Sequence, residues 1–169
     1  MAEYDIDFAH EMSKASNAIL SNAQPTDGIP LARAAIYCSL VACEVALKAG
    51  LEAAGVPLKH IRGQNHDLAG LLKCFDSCCV SAQITSVVTK RVPASRIRSI
   101  VVDDKYADAT IGKLIEETKH DGASRYPNEI RYGTLLKHYP ADVVSRLGEA
   151  VVKWVKEHID DICCGHNPK

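Results

Sequence analysis

The chain lacks an excess of basic residues, a low-complexity tract, an internal repeat and a long apolar run, and each absence removes a class of function. Twenty Lys and Arg against 21 Asp and Glu leave a formal charge of -1. That balance excludes a surface that attracts nucleic-acid phosphate everywhere. The longest uncharged stretch near the middle lies between Arg33 and Glu44, far short of the ~20 residues that a membrane-spanning helix needs. No basic leader with an apolar core and small-residue cleavage site opens the sequence, so no signal peptide and no membrane association are expected. Zinc knuckles of the Cys-x-x-Cys type are also missing. The cysteine groups Cys74, Cys78, Cys79 and Cys163, Cys164, His166 do not have that spacing. Neither a metal nor a cofactor is expected. Seven cysteines, an odd number, read as free thiols in a reducing cytoplasm.

What remains is an ordinary globular composition, 47% hydrophobic and 24% charged over 169 residues. It is most simply one domain, 1–169, with a proper core. Charge is nevertheless uneven: from Ser77 to Val102 there is no acid, while Lys90, Arg91, Arg96 and Arg98 supply a local basic patch.

Apolar periodicity predicts helices. Tyr4, Phe8, Met12, Ala15 and Ile19 mark one face of a first helix, and the run SNAQPTDGIP at 21–30 ends it. A second helix is expected from about Leu31 to Ala54, with Arg33, Glu44, Lys48 and Glu52 near one line of an otherwise apolar wheel, as in the central helix of a bundle. The steps from Glu44 to Lys48 to Glu52 predict small surface pairings. Gly55 and Pro57 then stop the helix. The segment KHIRGQN is expected to be a loop. A third helix follows, capped by Asn65 or Asp67, carrying Leu68, Leu71, Leu72 and Phe75, with Cys74 and Cys78 on one helical face. Over 83–120 the spacing predicts two or three shorter helices, although QITSVVTKRV is rich in β-branched residues that suit extended chain. The last helix, with Val144, Leu147, Val151, Trp154, Val155, Ile159 and Ile162, is entered through Pro140 and released at Gly165. The expected fold class is all-α: an antiparallel up-and-down helical bundle with additional short helices.

The stretch AIYCSLVACEVALKAGLEAAGVP, the later HDLAGLL and then SRYP resemble the HEPN (higher eukaryote and prokaryote nucleotide-binding) domain. The landmarks are Glu44, Leu47, Lys48 and Ala49; His66, Asp67 and Leu68; and Arg125, Tyr126 and Pro127. They occur in the family's order and cover roughly residues 5–162. The resemblance implies an antiparallel bundle that pairs as a homodimer, in a toxin-antitoxin, phage-defence or nucleotidyltransferase-associated setting. Some members are metal-independent RNases; others bind nucleotides or accompany a nucleotidyltransferase or antitoxin partner.

The family's nucleases resemble one another in an Arg-x(4 to 6)-His motif near the last major helix. In this sequence Arg131 and His138 fit that spacing. Arginine would hold the scissile phosphate through its planar donor fork, and histidine would move the proton. Tyr132 stands where active members carry a polar residue, and Gly133 and Pro140 interrupt a single supporting helix. The connection DGASRYPNEIRYG also holds two Arg-Tyr pairs, Arg125-Tyr126 and Arg131-Tyr132. Together with Arg96 and Arg98 these are the candidate nucleotide- or phosphate-binding residues, arginine for phosphate and tyrosine for stacking. The alternative for Arg125 is a pairing with Asp67 or Glu44 that pins the loop. His66 reads as a cap or a structural hydrogen bond. Glu44 and Lys48 read as an ordinary pair on a polar seam or as a dimer contact. Three functions stay open: a nucleotide- or RNA-binding domain, an RNase using Arg131 and His138, and a module that docks on a partner protein.

Overall fold

The computed structural model describes residues 2–24, 28–83, 89–106, 108–120 and 140–165. In chain order the elements are α1 (Ile6–Ser21), α2 (Gly28–Ala53), α3 (Leu58–Gly63), α4 (Leu68–Cys74), β1 (Cys78–Gln83), β2 (Thr89–Pro93), α5 (Ile111–His120), α6 (Ala141–His158) and β3 (Ile162–Cys164). Two short 3-10 turns, Phe75–Ser77 and Ala94–Ser99, join α4 to β1 and follow β2. The chain is mostly helical, and α1, α2 and α6 pack on one another as its main layer.

The mostly helical architecture agrees in outline with the all-α expectation, and the structure adds a small sheet to it. Three short strands form an antiparallel sheet in the order β2-β1-β3. β1 pairs with β2 from Cys79↔Pro93 to Gln83↔Thr89, and with β3 from Cys78↔Cys164 to Val80↔Ile162. The extended chain that the β-branched residues of QITSVVTKRV suit is present at Gln83 and from Thr89 to Val92, while residues 84–88 lie outside the described residues. Cys74 and Cys78 therefore do not share a helical face: α4 ends at Cys74 and Cys78 opens a strand. β2 is an edge strand, and its exposed Lys90 and Arg91 are the kind of charge that keeps an edge from pairing further. Ile162, expected on the last helix, lies in β3, and KHIRGQN falls largely within α3 rather than in a loop.

α1 is capped by Asp5, whose side chain accepts from Asp7 N at 2.8 Å and Phe8 N at 3.3 Å. Its buried residues are Ala9, Ser13 and Ser16, while Phe8, expected on the inner face, is 50% exposed. The face has shifted because α1 approaches its neighbours through small residues. Ser16 Oγ donates to Ala35 O at 2.8 Å and lies 2.7 Å from Ser145 Oγ, and Ser145 Oγ donates to Asn17 Oδ1 at 2.6 Å. Between α2 and α6, Ser39 Oγ donates to Val144 O and accepts from Gly148 N at 3.1 Å. A Cβ at Gly148 would meet that oxygen at 2.6 Å, so only glycine allows this approach. The buried hydroxyls of Ser16, Ser39 and Ser145 are thus engaged, which offsets the cost of burying them.

The apolar core lies against α2, whose Leu40, Leu47 and Leu51 are fully buried together with Leu71, Leu72, Phe75, Ile97, Ile111, Leu147 and Val151. The Phe75 and Trp154 rings meet edge-on with centroids 5.9 Å apart, and Gly50 lets Phe75 approach α2. α2 is long and apolar enough to cross a membrane by length and composition. However, 72% of that window is buried inside this fold, as expected of a central core helix.

Candidate functional site

The most unusual polar arrangement among the described residues lies midway along α2. Glu44 and Lys48 are each only 8% exposed, and Lys48 Nζ donates to Glu44 Oε1 at 2.7 Å. Charges this deep persist only when paired. The second partner of Glu44 comes from the turn before α4: His66 Nδ1 lies 3.2 Å from Oε1 and 3.1 Å from Oε2. Asn65, immediately before it, adopts a left-handed backbone with φ of 50°, a conformation that asparagine tolerates better than most residues. Asp67 Oδ1 then accepts from Gly70 N at 3.0 Å and caps α4, as the sequence led us to expect. The turn is therefore fixed on both sides of His66.

The cluster is closed on one side by the beginning of the chain. Lys48 Nζ lies over the Tyr4 ring, 5.4 Å from its centroid, within range of a cation–π contact. Glu52, one turn further along α2, accepts from Glu3 N at 2.9 Å and Tyr4 N at 3.0 Å. Arg62 from α3 grips the Glu3 carboxylate through two nitrogens, Nε at 2.9 Å and Nη2. That guanidinium holds the Glu3 carboxyl below the usual range. Burial, followed by the Glu3 carboxylate, raises the Tyr4 hydroxyl.

This arrangement has a definite chemical consequence. Glu44 is neutralised by Lys48 and orients an imidazole through one nitrogen. The His66 side chain is 54% exposed, against 10% and 11% for Lys48 and Glu44. A histidine held at Nδ1 by a carboxylate has its ring orientation fixed, as in acid–base sites. Glu44–Lys48 is thus not the small surface pairing expected from the sequence. The hydrogen bond expected of His66 is present, and its partner is Glu44.

The sequence-derived binding residues are distributed differently. Arg98 is paired with two acids: its Nε lies 3.3 Å from Asp76 Oδ1 and its Nη1 3.7 Å from Glu116 Oε1. It borders a groove of about 560 Å³ along α4 that also takes in Asp67, Lys73, Asp76 and Glu116. Three carboxylates against two cations give that groove no preference for an anion. Arg96 is exposed and makes no ion pair with a described residue, as do Lys90 and Arg91 on the adjoining edge strand. Arg125, Tyr126, Arg131, Tyr132 and His138 lie outside the described residues. Among the described residues no three His, Cys, Asp or Glu side chains converge to hold a metal ion. No family model, curated protein or solved structure matches the chain.

Sequence reasoning placed Glu44, Lys48 and His66 individually but did not assemble them. The available signal was the paired landmark itself: an acid and a lysine inside an otherwise apolar helix, and a histidine just before the next main helix.

Proposed function

We propose that the chain is a HEPN-like domain that binds a nucleotide or RNA through phosphate, with His66 as a contacting residue. The observation that supports this reading is the meeting of two sequence landmarks. Glu44 on α2 and His66 before α4, 22 residues apart in sequence, meet and form one network with Lys48. A purely structural network would be served by two buried partners. Here the third member is turned to solvent, where its imidazole is open to a phosphate oxygen. Arg96, Lys90 and Arg91 supply exposed positive charge on the same chain, and Arg125 and Arg131 add to it in the proposal. Pairing as a homodimer belongs to the same reading.

The test is titration of a fluorescein-labelled single-stranded RNA, and separately ATP and GTP, into the protein at two salt concentrations. Binding should weaken as salt rises, because phosphate contacts release counterions. It should weaken further in His66→Ala. Metal-free cleavage of the same RNA, lost in both Arg131→Ala and His138→Ala, would extend the reading to a nuclease. Absence of any nucleotide or RNA binding would overturn it in favour of docking on a protein partner.

A further inference from the structure

The short C-terminal strand places cysteine opposite cysteine. In the β1–β3 pairing Cys78 faces Cys164 and Cys79 faces Cys163, and all of them are free thiols. The two pairs are not equivalent. Ser81 N donates to Asp161 O at 3.0 Å and Gly165 N to Ser77 O at 2.7 Å. Those bonds mark 81/161 and 77/165 as hydrogen-bonded positions, and strict alternation makes 79/163 another. Cys78/Cys164 is then a non-hydrogen-bonded position. Consistently, Cys164 N turns away from β1 and donates to Ala54 O at 2.9 Å.

That distinction decides which thiols can join. At a non-hydrogen-bonded antiparallel pair the Cα atoms are about 4.5 Å apart and the side chains lean together. A disulfide needs a Cα separation of about 4.4–6.8 Å and close Cβ atoms. Cys78 and Cys164 also lie on the sheet face that buries Val80 and Ile162. Cys79 and Cys163 project from the opposite face at the wider position.

We propose that Cys78 and Cys164 form a reversible cross-strand disulfide under oxidising conditions, a covalent modification site that ties the C-terminal strand to the sheet. With glutathione disulfide as the oxidant, the half-buried Cys164 thiolate attacks one sulfur. This forms a mixed disulfide and releases one glutathione thiolate. The Cys78 thiolate then attacks the Cys164 sulfur, closing the Sγ–Sγ bond and expelling the second glutathione. The two protons lost by the cysteines end on the two glutathione thiols. The order follows from access. Cys78 is 1% exposed, and burial, followed by the charge of Cys164, pushes its thiol up to about 12. It is therefore the resolving thiol and not the initial nucleophile.

The test uses the full-length protein equilibrated in glutathione redox buffers, quenched with N-ethylmaleimide, digested with trypsin and analysed by mass spectrometry. The expected product joins peptide 74–90 to peptide 157–169 and disappears on reduction. It should persist in the Cys79→Ser/Cys163→Ser double variant and be lost in Cys164→Ser, whose half-buried position keeps the fold intact. Oxidised wild type should melt about 5–15 °C above the reduced form, and Cys164→Ser should show no such difference. Failure of wild type to form the cross-link at any glutathione ratio would overturn the proposal. So would loss of the link in Cys79→Ser/Cys163→Ser with its retention in Cys164→Ser.

Discussion

Replacing Lys48 by methionine tests directly whether the α2 charge pair is buried. Methionine keeps most of the stem volume and removes the ammonium. Glu44 Oε1, 2.7 Å from Nζ, would then be left with only the His66 contact in a site where its side chain is 11% exposed. Removing one partner of a buried pair costs about 3–5 kcal/mol because the remaining charge is uncompensated. For a chain of this size each kcal/mol moves the melting temperature by about 2–4 °C, so a fall of about 6–20 °C is expected. The double variant Glu44→Leu/Lys48→Met removes both charges and should recover most of that loss. Urea unfolding followed by Trp154 fluorescence and by circular dichroism gives both numbers, with the slope checking that the transition stays two-state. A cost for Lys48→Met below about 1 kcal/mol, the range of exposed ion pairs, would refute the reasoning. So would a double variant as unstable as the sum of the singles.

Gly148→Ala would drive a Cβ to 2.6 Å from Ser39 Oγ and should destabilise by about 1–3 kcal/mol, whereas Gly63→Ala, with open space around it, should be neutral or slightly stabilising; thermal melts compare the two. Phe75→Ala should cost about 3–5 kcal/mol and alter Trp154 fluorescence, since the rings meet at 5.9 Å. The carboxyls of Glu3, Asp7 and Asp108 are held below their ordinary range by hydrogen bonds from Arg62, Lys156 and Lys113 respectively. Groups with a lowered folded pKa bind more protons when unfolded, so their stabilisation is present at neutral pH. It is lost as pH falls through about 4 and below. Melts from pH 7 downward should show that decline, and it should be shallower in Arg62→Ala/Lys156→Ala.

Much of this architecture was legible because the strongest signals were local. α6 shows Val144, Leu147, Val151 and Val155 at helical spacing, and each is buried. Ile111, Leu114 and Ile115 are likewise buried on α5. Asp67 as cap and Gly55, with φ of 82°, as stop follow from backbone chemistry that neighbouring residues decide. Extended chain was legible around β2, but β1 and β3 were missed because their identity depends on distant pairing. β3 holds Ile162–Cys164 alone, and nothing in that stretch announces a partner at Val80. The face of α1 was misplaced for a related reason. Helices that approach through Ser16, Ala35 and Gly148 bury small side chains, which a search for large apolar residues passes over. The burial of Glu44 and Lys48 was equally nonlocal. It depends on Tyr4 lying against the lysine and on Glu52 and Arg62 holding the chain start in place.

The most direct test of the proposed function is the affinity of wild type and His66→Ala for the same labelled single-stranded RNA and for ATP, with both proteins shown to be folded by their melts. A charge-assisted hydrogen bond contributes about 1.5–3 kcal/mol, which corresponds to a loss of roughly 10- to 100-fold in affinity. The account predicts salt-sensitive binding by wild type and a decrease of that size in the variant. Equal affinity in the two proteins, or no binding by either, would contradict it.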